Sequence, residues 1–280
     1  MKIPANPQFD SKTLLYGVFG NPVAHSLSPA MHNAAFRHLH VNAVYLAFAI
    51  ENIASGIDAV RALNMQGVSI TIPHKIEVIS HLDELDPMAE RIGAVNTVAR
   101  NKGQLIGYNT DASGAVAALA EKTEIFQKRV AVIGAGGAAR AVGFGVKSEG
   151  AKVTIINRTH EKGKALAEEL EGDFCPAVDF ESSATDILIN TTSVGMSPDT
   201  DKIPIPPDCL REGMVVMDIV YNPLTTRLLK EATDRGCLPV DGVAMFVYQG
   251  AFQFELWTGM KAPVEVMRFV VLETLKTRDG

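Results

Sequence analysis

The chain has 280 residues, of which 47% are hydrophobic and 21% are charged, and this composition is typical of globular rather than disordered proteins. Its formal net charge of -6 argues against nucleic acid or an anionic membrane as the main partner, while a small-molecule substrate fits. No apolar run suits a signal peptide or a transmembrane span, and three cysteines without a CxxC pattern predict reduced thiols, so we expect a cytoplasmic protein.

The first half of the chain alternates strand-like and helix-like segments after a polar, proline-bearing lead-in over 1–12. The predicted strands are 14–19, 44–50 and 67–72, and the predicted helices are 28–39, 52–63, 74–81 and 112–122. Ser28 is expected to be the N-cap of its helix, with Pro29 at the first helical position. Residues 94–100 and 104–107 flank a turn sequence and predict an antiparallel hairpin. The alternation predicts a mainly parallel sheet with this hairpin at one edge.

A β-branched run that starts the second half stops at a glycine cluster, and an alanine-rich helical pattern follows it. Gly134, Gly136 and Ala139 fit the Gly-x-Gly-x-x-Gly/Ala spacing of a dinucleotide-binding loop. The first glycine allows the tight turn, the second lets a pyrophosphate approach the backbone, and the small third residue lets the helix pack on the strand. Free N–H groups and the positive end of the helix dipole then hold the phosphates.

The next predicted strand, 153–157, ends where a dinucleotide-binding domain contacts the ribose. The chain has Asn157-Arg158-Thr159 at this place, with Lys162 shortly after, and no carboxylate that would accept from a ribose 2′-hydroxyl. A guanidinium and a hydroxyl suit a 2′-phosphate, which a carboxylate would repel. The pattern therefore predicts NADP rather than NAD, against the alternative of a structural turn with a solvated arginine.

The rest of the second half continues the alternation of strands and helices. The predicted strands are 130–134, 153–157, 186–191, 214–220 and 237–240, and the predicted helices are 138–149, 161–171 and 225–235. Two apolar helices, 243–258 and 263–277, end the chain and are expected to pack onto the first half. The sequence thus predicts two α/β domains with a cleft between them: a substrate domain of 1–113 plus 247–280, and a Rossmann domain of 114–246.

Polar side chains collect at the carboxyl ends of the predicted strands in the first half, where ligands bind in open α/β sheets. They are Ser26 and Ser28 after the first strand, Thr71 and Lys75 after the third, Asn96 on the hairpin, and Asp111 after the last strand. Two serines beside a helix N-terminus suit a carboxylate, and the other hydroxyl, amide and carboxylate groups suit a polyol. Lys75 is the candidate proton carrier, although a surface lysine and a helix-capping Asp111 are the plainer alternatives. The histidines lack zinc-ligand spacing, so no metal site is predicted.

Several ordered motifs resemble the shikimate dehydrogenase family. In the first half these are Gly20-Asn21-Pro22, His25-Ser26-Leu27-Ser28-Pro29, Asn33, Thr71-Ile72-Pro73-His74-Lys75, Gly93-Ala94-Val95-Asn96-Thr97 and Asn109-Thr110-Asp111. In the second half they are Gly134-Ala135-Gly136-Gly137-Ala138, Asn157-Arg158-Thr159, Asp218-Ile219-Val220-Tyr221-Asn222-Pro223, Asp241-Gly242 and Gln249. The resemblance covers nearly the whole chain, from Tyr16 to about Trp257.

That resemblance implies a reversible NADP-dependent oxidation of shikimate to 3-dehydroshikimate, with Lys75 as acid/base and Asp111 as its partner. The substrate would be bound by Ser26 and Ser28 at its carboxylate, with Tyr221 on that side, and by Thr71, Asn96, Asp111 and Gln249 at its hydroxyls. The cofactor would be bound by Gly134, Ala135, Gly136, Gly137 and Ala138 at the pyrophosphate, by Asn157, Arg158, Thr159 and Lys162 at the 2′-phosphate, and by Ile219 and Gly242 near the nicotinamide. The family usually has a glycine after the aspartate, where this chain has Ala112.

Other interpretations compete with this one. A quinate/shikimate dehydrogenase would accept a broader range of substrates and often NAD, and an acidic residue near Arg158 would favour it; Thr159 follows instead. A methylenetetrahydrofolate dehydrogenase would share the architecture but not the pair Ser26 and Ser28. A non-catalytic NADP-binding regulator could keep the glycine loop without Lys75 or Asp111. The sequence leaves a monomer and a homodimer equally open.

Overall fold

The computed structural model describes residues 9–181 and 184–278, so the first eight residues of the predicted lead-in lie outside the described part of the chain. The chain divides into two compact units. The first unit runs up to Thr110 and resumes at Gly250, and the second unit is Asp111–Gln249. Within the described residues, no helix is long and apolar enough to cross a membrane.

The elements of the first half follow the predicted alternation, with additions. They are β1 Leu14–Gly20, α1 Ser28–His38, β2 Ala43–Ala49, α2 Ile53–Ala62, β3 Gly67–Ile70, β4 Glu84–Leu85, α3 Pro87–Ile92, β5 Thr97–Asn101, β6 Gln104–Tyr108 and α4 Thr110–Ala120. The sheet of the first unit has the order β2-β1-β3-β5-β6-β4. β1 pairs in parallel with β2 and β3, and β5 and β6 form the predicted antiparallel hairpin. Lys102 and Gly103 both have positive φ in its turn, as a type I′ turn requires.

Two details of this half differ from prediction at the sheet edge. The hairpin is not the edge, because β4 pairs in parallel with β6 outside it. β4 has only two residues, too few to show a period in the sequence. The helix α3 was also missed, although Asp86 caps it, Pro87 opens it and Gly93 closes it with a left-handed φ of 68°.

The helix predicted over 74–81 does not form. A turn is followed by a 3₁₀ helix over Glu77–His81. The carbonyl of Lys75 accepts from Val95 N–H at 2.8 Å, so the backbone of this turn is paired outside the segment. The His74 ring is buried with its Nε2 2.7 Å from the Ile50 carbonyl, which also holds the turn in place.

The predicted N-cap of α1 is also wrong. Leu27 holds the N-cap position and makes no side-chain cap, and the helix already includes Ser28. The backbone N–H of Ser28 donates to Ser26 Oγ at 3.3 Å, so the Ser26 hydroxyl satisfies one of the N–H groups at this helix end.

The second half builds one parallel sheet and two closing helices. Its elements are β7 Arg129–Ile133, α5 Gly137–Ser148, β8 Lys152–Asn157, α6 His160–Glu169, β9 Asp173–Pro176, β10 Ile187–Asn190, β11 Val215–Asp218, α7 Arg227–Asp234, β12 Leu238–Val240, α8 Gly242–Thr258 and α9 Val264–Arg278. The strand order is β12-β11-β10-β7-β8-β9, with every pairing parallel. This is the Rossmann order, and the predicted fold class is confirmed. The sequence missed only the short strand β9.

The end of the chain packs within the first unit. Trp257 Nε1 donates to the Val98 carbonyl at 3.0 Å, and the buried Phe254 packs its ring 5.4 Å from that of Phe36 on α1. Gly250 permits a close approach, because a Cβ there would lie 2.1 Å from Met31 Cε. The helix α9 packs against α1 in the same unit.

Candidate active site

The glycine loop of the second unit has the geometry that a pyrophosphate needs. Gly134 follows β7 with a φ of +116°, and a Cβ on it would lie 2.7 Å from Thr191 Oγ1, so only glycine fits there. Gly136 is the N-cap of α5, and a Cβ on Gly136 or Gly137 would meet nothing within 4 Å. The buried Ala139 packs the helix against the strand. An open backbone at a helix N-terminus fits the phosphates of a dinucleotide.

The end of β8 presents polar groups to solvent. Asn157 Nδ2 donates to the Thr159 carbonyl at 2.8 Å and so holds the turn that carries Arg158. Arg158, Thr159 and Lys162 are exposed. Thr159 is the N-cap of α6, yet its side chain makes no cap hydrogen bond, so the hydroxyl is not consumed by the helix. This turn therefore offers a guanidinium, a hydroxyl and an ammonium to an anionic ligand.

The two residues predicted near the nicotinamide lie against each other. Ile219 directly follows β11, and Gly242 opens α8 so close to it that a Cβ on Gly242 would lie 2.5 Å from the Ile219 carbonyl oxygen. Asp241 Oδ1 accepts from Ala244 N–H at 2.9 Å and caps that helix. The close approach of α8 to the end of β11 therefore depends on glycine at position 242.

Tyr221 and Gln249 also lie in the second unit. The Tyr221 ring is 5.2 Å from that of Phe246, and Gln249 is buried with its Nε2 donating to the Phe246 carbonyl at 2.8 Å. Asp111 is half-buried in the first turn of α4, and Ala112 beside it is buried in the same helix. Ala112 does not have a positive φ, so alanine needs no unusual backbone angle at this position.

The remaining predicted substrate residues lie in the first unit. Ser26 and Ser28 lie at the start of α1, and Ser28 is buried. Thr71 directly follows β3, with its N–H donating to the Phe19 carbonyl at 2.9 Å, and Lys75 lies half-buried in the turn beyond it. The carboxyl end of β3 and the start of α1 thus carry the hydroxyls and the ammonium.

Asn96 is buried, and its side-chain amide is hydrogen bonded to neighbouring residues of the chain. Its Oδ1 accepts from Thr110 N–H at 2.8 Å and from Thr97 Oγ1 at 2.7 Å, and its Nδ2 donates to Thr110 Oγ1 at 3.0 Å. These bonds fix the amide and the start of α4 together. Three of the predicted substrate residues, Asp111, Tyr221 and Gln249, belong to the second unit, and the other four to the first.

The structure adds a buried carboxylate that the sequence reasoning did not assign. Asp218 ends β11 with no exposed surface and accepts from Thr226 Oγ1 at 2.6 Å, from Asn190 Nδ2 at 2.9 Å and from Val220 N–H at 3.1 Å. Burial raises the pKa of Asp218 to about 6, and the three donors oppose that rise. The aspartate joins the ends of β10 and β11 to the start of α7, and so fixes the loop that carries Ile219. An aspartate ending an apolar strand was the signal available in the sequence.

Asp218 makes the stability of the protein depend on pH. Because the pKa is about 6 when folded and 3.8 is the ordinary value, the carboxyl group stabilises the fold fully below about pH 4, and this contribution is lost as pH rises through 6. We expect the free energy of unfolding, relative to Asp218→Asn, to fall by about 2–3 kcal/mol between pH 4 and pH 7. Urea unfolding at several pH values measures it. A difference that does not change with pH would contradict the assignment.

Comparison with known protein families gives matches in both halves of the chain. Residues 18–98 match the family model of the shikimate dehydrogenase substrate binding domain, residues 117–198 that of shikimate/quinate 5-dehydrogenase, and residues 242–272 that of the shikimate 5′-dehydrogenase C-terminal domain. The shikimate dehydrogenase (NADP(+)) of Pyrococcus furiosus is 46% identical over 271 residues, which cover 96% of this chain and 99% of that protein.

Solved structures agree with the sequence relatives. Shikimate 5-dehydrogenase from Thermus thermophilus, in complex with NADP(H) and shikimate, has a TM-score of 0.89 and 39% identity, and the match covers 94% of this chain and 100% of that one. Quinate dehydrogenase from Corynebacterium glutamicum, in complex with NAD, has a TM-score of 0.87 and 30% identity, with 93% and 99% covered. With its two α/β units and this similarity over nearly its full length, the chain belongs to the shikimate dehydrogenase family.

Proposed function

We propose that this chain catalyses the reversible NADP-dependent oxidation of shikimate to 3-dehydroshikimate, a step on the route to chorismate and the aromatic amino acids. The observation that carries the proposal is the exposed Arg158-Thr159 turn beside an open glycine loop, in a chain 46% identical to a shikimate dehydrogenase (NADP(+)). A cytoplasmic location is part of this proposal, and the three free cysteines support it.

The residues divide the work between the two ligands. NADP supplies the nicotinamide that accepts the hydride. The backbone of Gly134–Ala138 binds the pyrophosphate, the turn of Asn157 to Thr159 with Lys162 binds the 2′-phosphate, and Ile219 and Gly242 border the nicotinamide ring. These contacts hold the cofactor at the carboxyl end of the parallel sheet, which is where this fold binds nucleotides.

The predicted substrate residues divide between its carboxylate and its hydroxyls. Ser26 and Ser28 donate to its carboxylate, with Tyr221 on the same side. Thr71, Asn96, Asp111 and Gln249 position its hydroxyls. Lys75 accepts the proton of the hydroxyl that is oxidised and returns it in the reverse reaction, and Asp111 orients the lysine. Positioning of the alcohol between a proton acceptor and the nicotinamide is the contribution of the protein.

The test is reduced-nicotinamide formation by the purified chain, with shikimate and quinate each tried against NADP and NAD. We expect turnover to be confined to shikimate with NADP. With shikimate, kcat/KM for NADP should exceed that for NAD by at least about tenfold, because the guanidinium of Arg158 forms a charge-assisted bond with the 2′-phosphate. Comparable rates with quinate would instead identify a quinate/shikimate dehydrogenase of the kind represented by the Corynebacterium structure. Comparable rates with NAD would refute the role of Arg158, and NADP binding without turnover would indicate a non-catalytic protein.

A further inference from the structure

A line of hydrogen bonds crosses the buried interior of the first unit. It links, in order, Tyr45, Ser69, Gln253, Thr97 and Asn96, and the Ser28 hydroxyl lies beside the Tyr45 phenol at its start. Each of these residues is at most 6% exposed. The line begins beside a serine proposed to bind the substrate carboxylate and ends at an asparagine proposed to bind its hydroxyls. Buried polar groups are costly unless they are satisfied, so this line is a built feature of the core.

Tyr45 holds the position next to Ser28 rigidly. Its backbone is clamped by Asn33, whose Oδ1 accepts from Tyr45 N–H at 2.9 Å and whose Nδ2 donates to the Tyr45 carbonyl at 2.8 Å. Its ring stacks on His32, with centroids 4.5 Å apart and planes 17° apart. The phenol oxygen therefore has one fixed place between the hydroxyls of Ser28 and Ser69.

The protons on these three hydroxyls have two arrangements. Ser69 donates to Gln253 Oε1 at 2.8 Å, and Tyr45 donates to Ser69 Oγ at 2.6 Å. The single phenol proton is then committed to Ser69, so towards Ser28 the phenol oxygen can only accept. If the phenol proton turns to Ser28 Oγ instead, the Ser28 proton is free to point outward. No heavy atom has to move between the two arrangements.

We propose that Tyr45 is a positioning residue that donates to Ser28 when the substrate carboxylate is bound, so that Ser28 can donate to that carboxylate. The proposal rests on the function proposed above, since it assigns Ser28 to the carboxylate. In the bound state the hydrogen bonds run from Tyr45 to Ser28 to the anion, and each bond strengthens the next. Ser69 is the competitor that holds the phenol proton when no anion is present.

The variants Tyr45→Phe and Ser69→Ala are expected to have different effects on KM for shikimate. Tyr45→Phe removes the donor to Ser28, and we expect KM for shikimate to rise about tenfold with kcat and KM for NADP within about twofold of the starting protein. Ser69→Ala removes the competing acceptor, which leaves Ser28 as the acceptor of the phenol proton, so KM for shikimate stays equal or falls. A network that only stabilised the core would raise KM in both variants or in neither.

The experiment is steady-state kinetics of the full chain and of these two variants, together with Ser28→Ala and the double variant Ser28→Ala/Tyr45→Phe. Because Tyr45 acts through Ser28, adding Tyr45→Phe to Ser28→Ala should raise KM no further. Equal increases for Tyr45→Phe and Ser69→Ala, an unchanged KM for Tyr45→Phe, or additive effects in the double variant would each overturn the proposal.

Two further results also bear on the proposed role of Tyr45. If Tyr45→Phe does not fold, the Ser69→Ala variant decides. An equal or lower KM for shikimate supports the proposed role of Tyr45, and a higher KM overturns it. If the unmodified chain does not oxidise shikimate, the proposed function is wrong, and the proposed role of Tyr45 is wrong with it. If the chain oxidises shikimate and Tyr45→Phe does not change its kinetics, only the proposed role of Tyr45 is overturned.

Discussion

Replacing Lys75 by alanine lowers kcat for shikimate oxidation by about 10²- to 10⁴-fold, the usual contribution of a positioned acid/base group. The affinity for NADP is expected to stay within about twofold, because Lys75 belongs to the first unit and the cofactor residues belong to the second. The measurements are kcat with saturating shikimate and NADP, and the dissociation constant of NADP by fluorescence or calorimetric titration.

The position of Lys75 supports a large effect on kcat. The backbone carbonyl of Lys75 accepts from Val95 N–H at 2.8 Å. The buried ring of the preceding residue, His74, lies with its Nε2 2.7 Å from the Ile50 carbonyl. The side chain therefore extends from a turn that is fixed on both sides, as a proton carrier requires. Truncation at Cβ leaves these backbone contacts intact, so the loss reports chemistry rather than unfolding.

A matched control comes from the same unit. Lys102 lies exposed in the hairpin turn between β5 and β6, and Lys102→Ala removes an equal charge from a turn that carries none of the predicted site residues. Its kcat should equal that of the unmodified chain. If Lys75→Ala retains turnover comparable to Lys102→Ala, Lys75 is not the acid/base, and the proton must reach another group.

The parts of the fold that the sequence predicted well are those set by local chemistry. The glycine loop was predicted at Gly134 because the strand, the turn and the helix each leave a signal within a dozen residues. The hairpin was predicted from the turn sequence Asn101-Lys102-Gly103, and in the structure Lys102 and Gly103 have the positive φ that this turn requires. The Rossmann order then followed from the alternation of strands and helices, since parallel strands need crossover helices.

The errors occurred where distant parts of the chain determine the local structure. Residues 74–81 have a helical pattern, yet the carbonyl of Lys75 pairs with Val95, twenty positions away. The line of hydrogen bonds through the first unit joins Ser69 to Gln253 across 184 positions. The hydrophobic periodicity of a segment does not predict a hydrogen-bond partner that is distant in sequence. The roles of these side chains could therefore be recognised only in the folded chain.

The candidate site was predicted as a set of side chains, without the contacts that hold them. Ser28 was expected to cap α1, whereas Leu27 holds the N-cap position and Ser28 is a buried residue of the helix whose N–H donates to Ser26 Oγ. Asp218 was quoted within a motif but given no role, because burial and its three donors are tertiary properties. Residue type alone therefore indicated which groups could act, and packing determined which groups orient them.

Arg158→Ala is expected to lower kcat/KM for NADP by about 10- to 100-fold and to leave kcat/KM for NAD unchanged. The guanidinium is exposed at the end of β8, and the Asn157 side chain holds its turn through the Thr159 carbonyl at 2.8 Å. A 2′-phosphate at this place would receive charge-assisted hydrogen bonds, which contribute about 1.5–3 kcal/mol. NAD has a hydroxyl there, so it has no such bond to lose.

The ratio of the two cofactors is the informative quantity, since it cancels any effect on folding or on shikimate. Lys164→Ala is the matched control, because Lys164 is exposed on the same helix α6, beyond the candidate residues. An equal loss with NADP and NAD would show that Arg158 supports the adenosine rather than the phosphate. An unchanged ratio would refute the argument that the end of β8 selects NADP, because the missing carboxylate at this strand end would then have no consequence for cofactor choice.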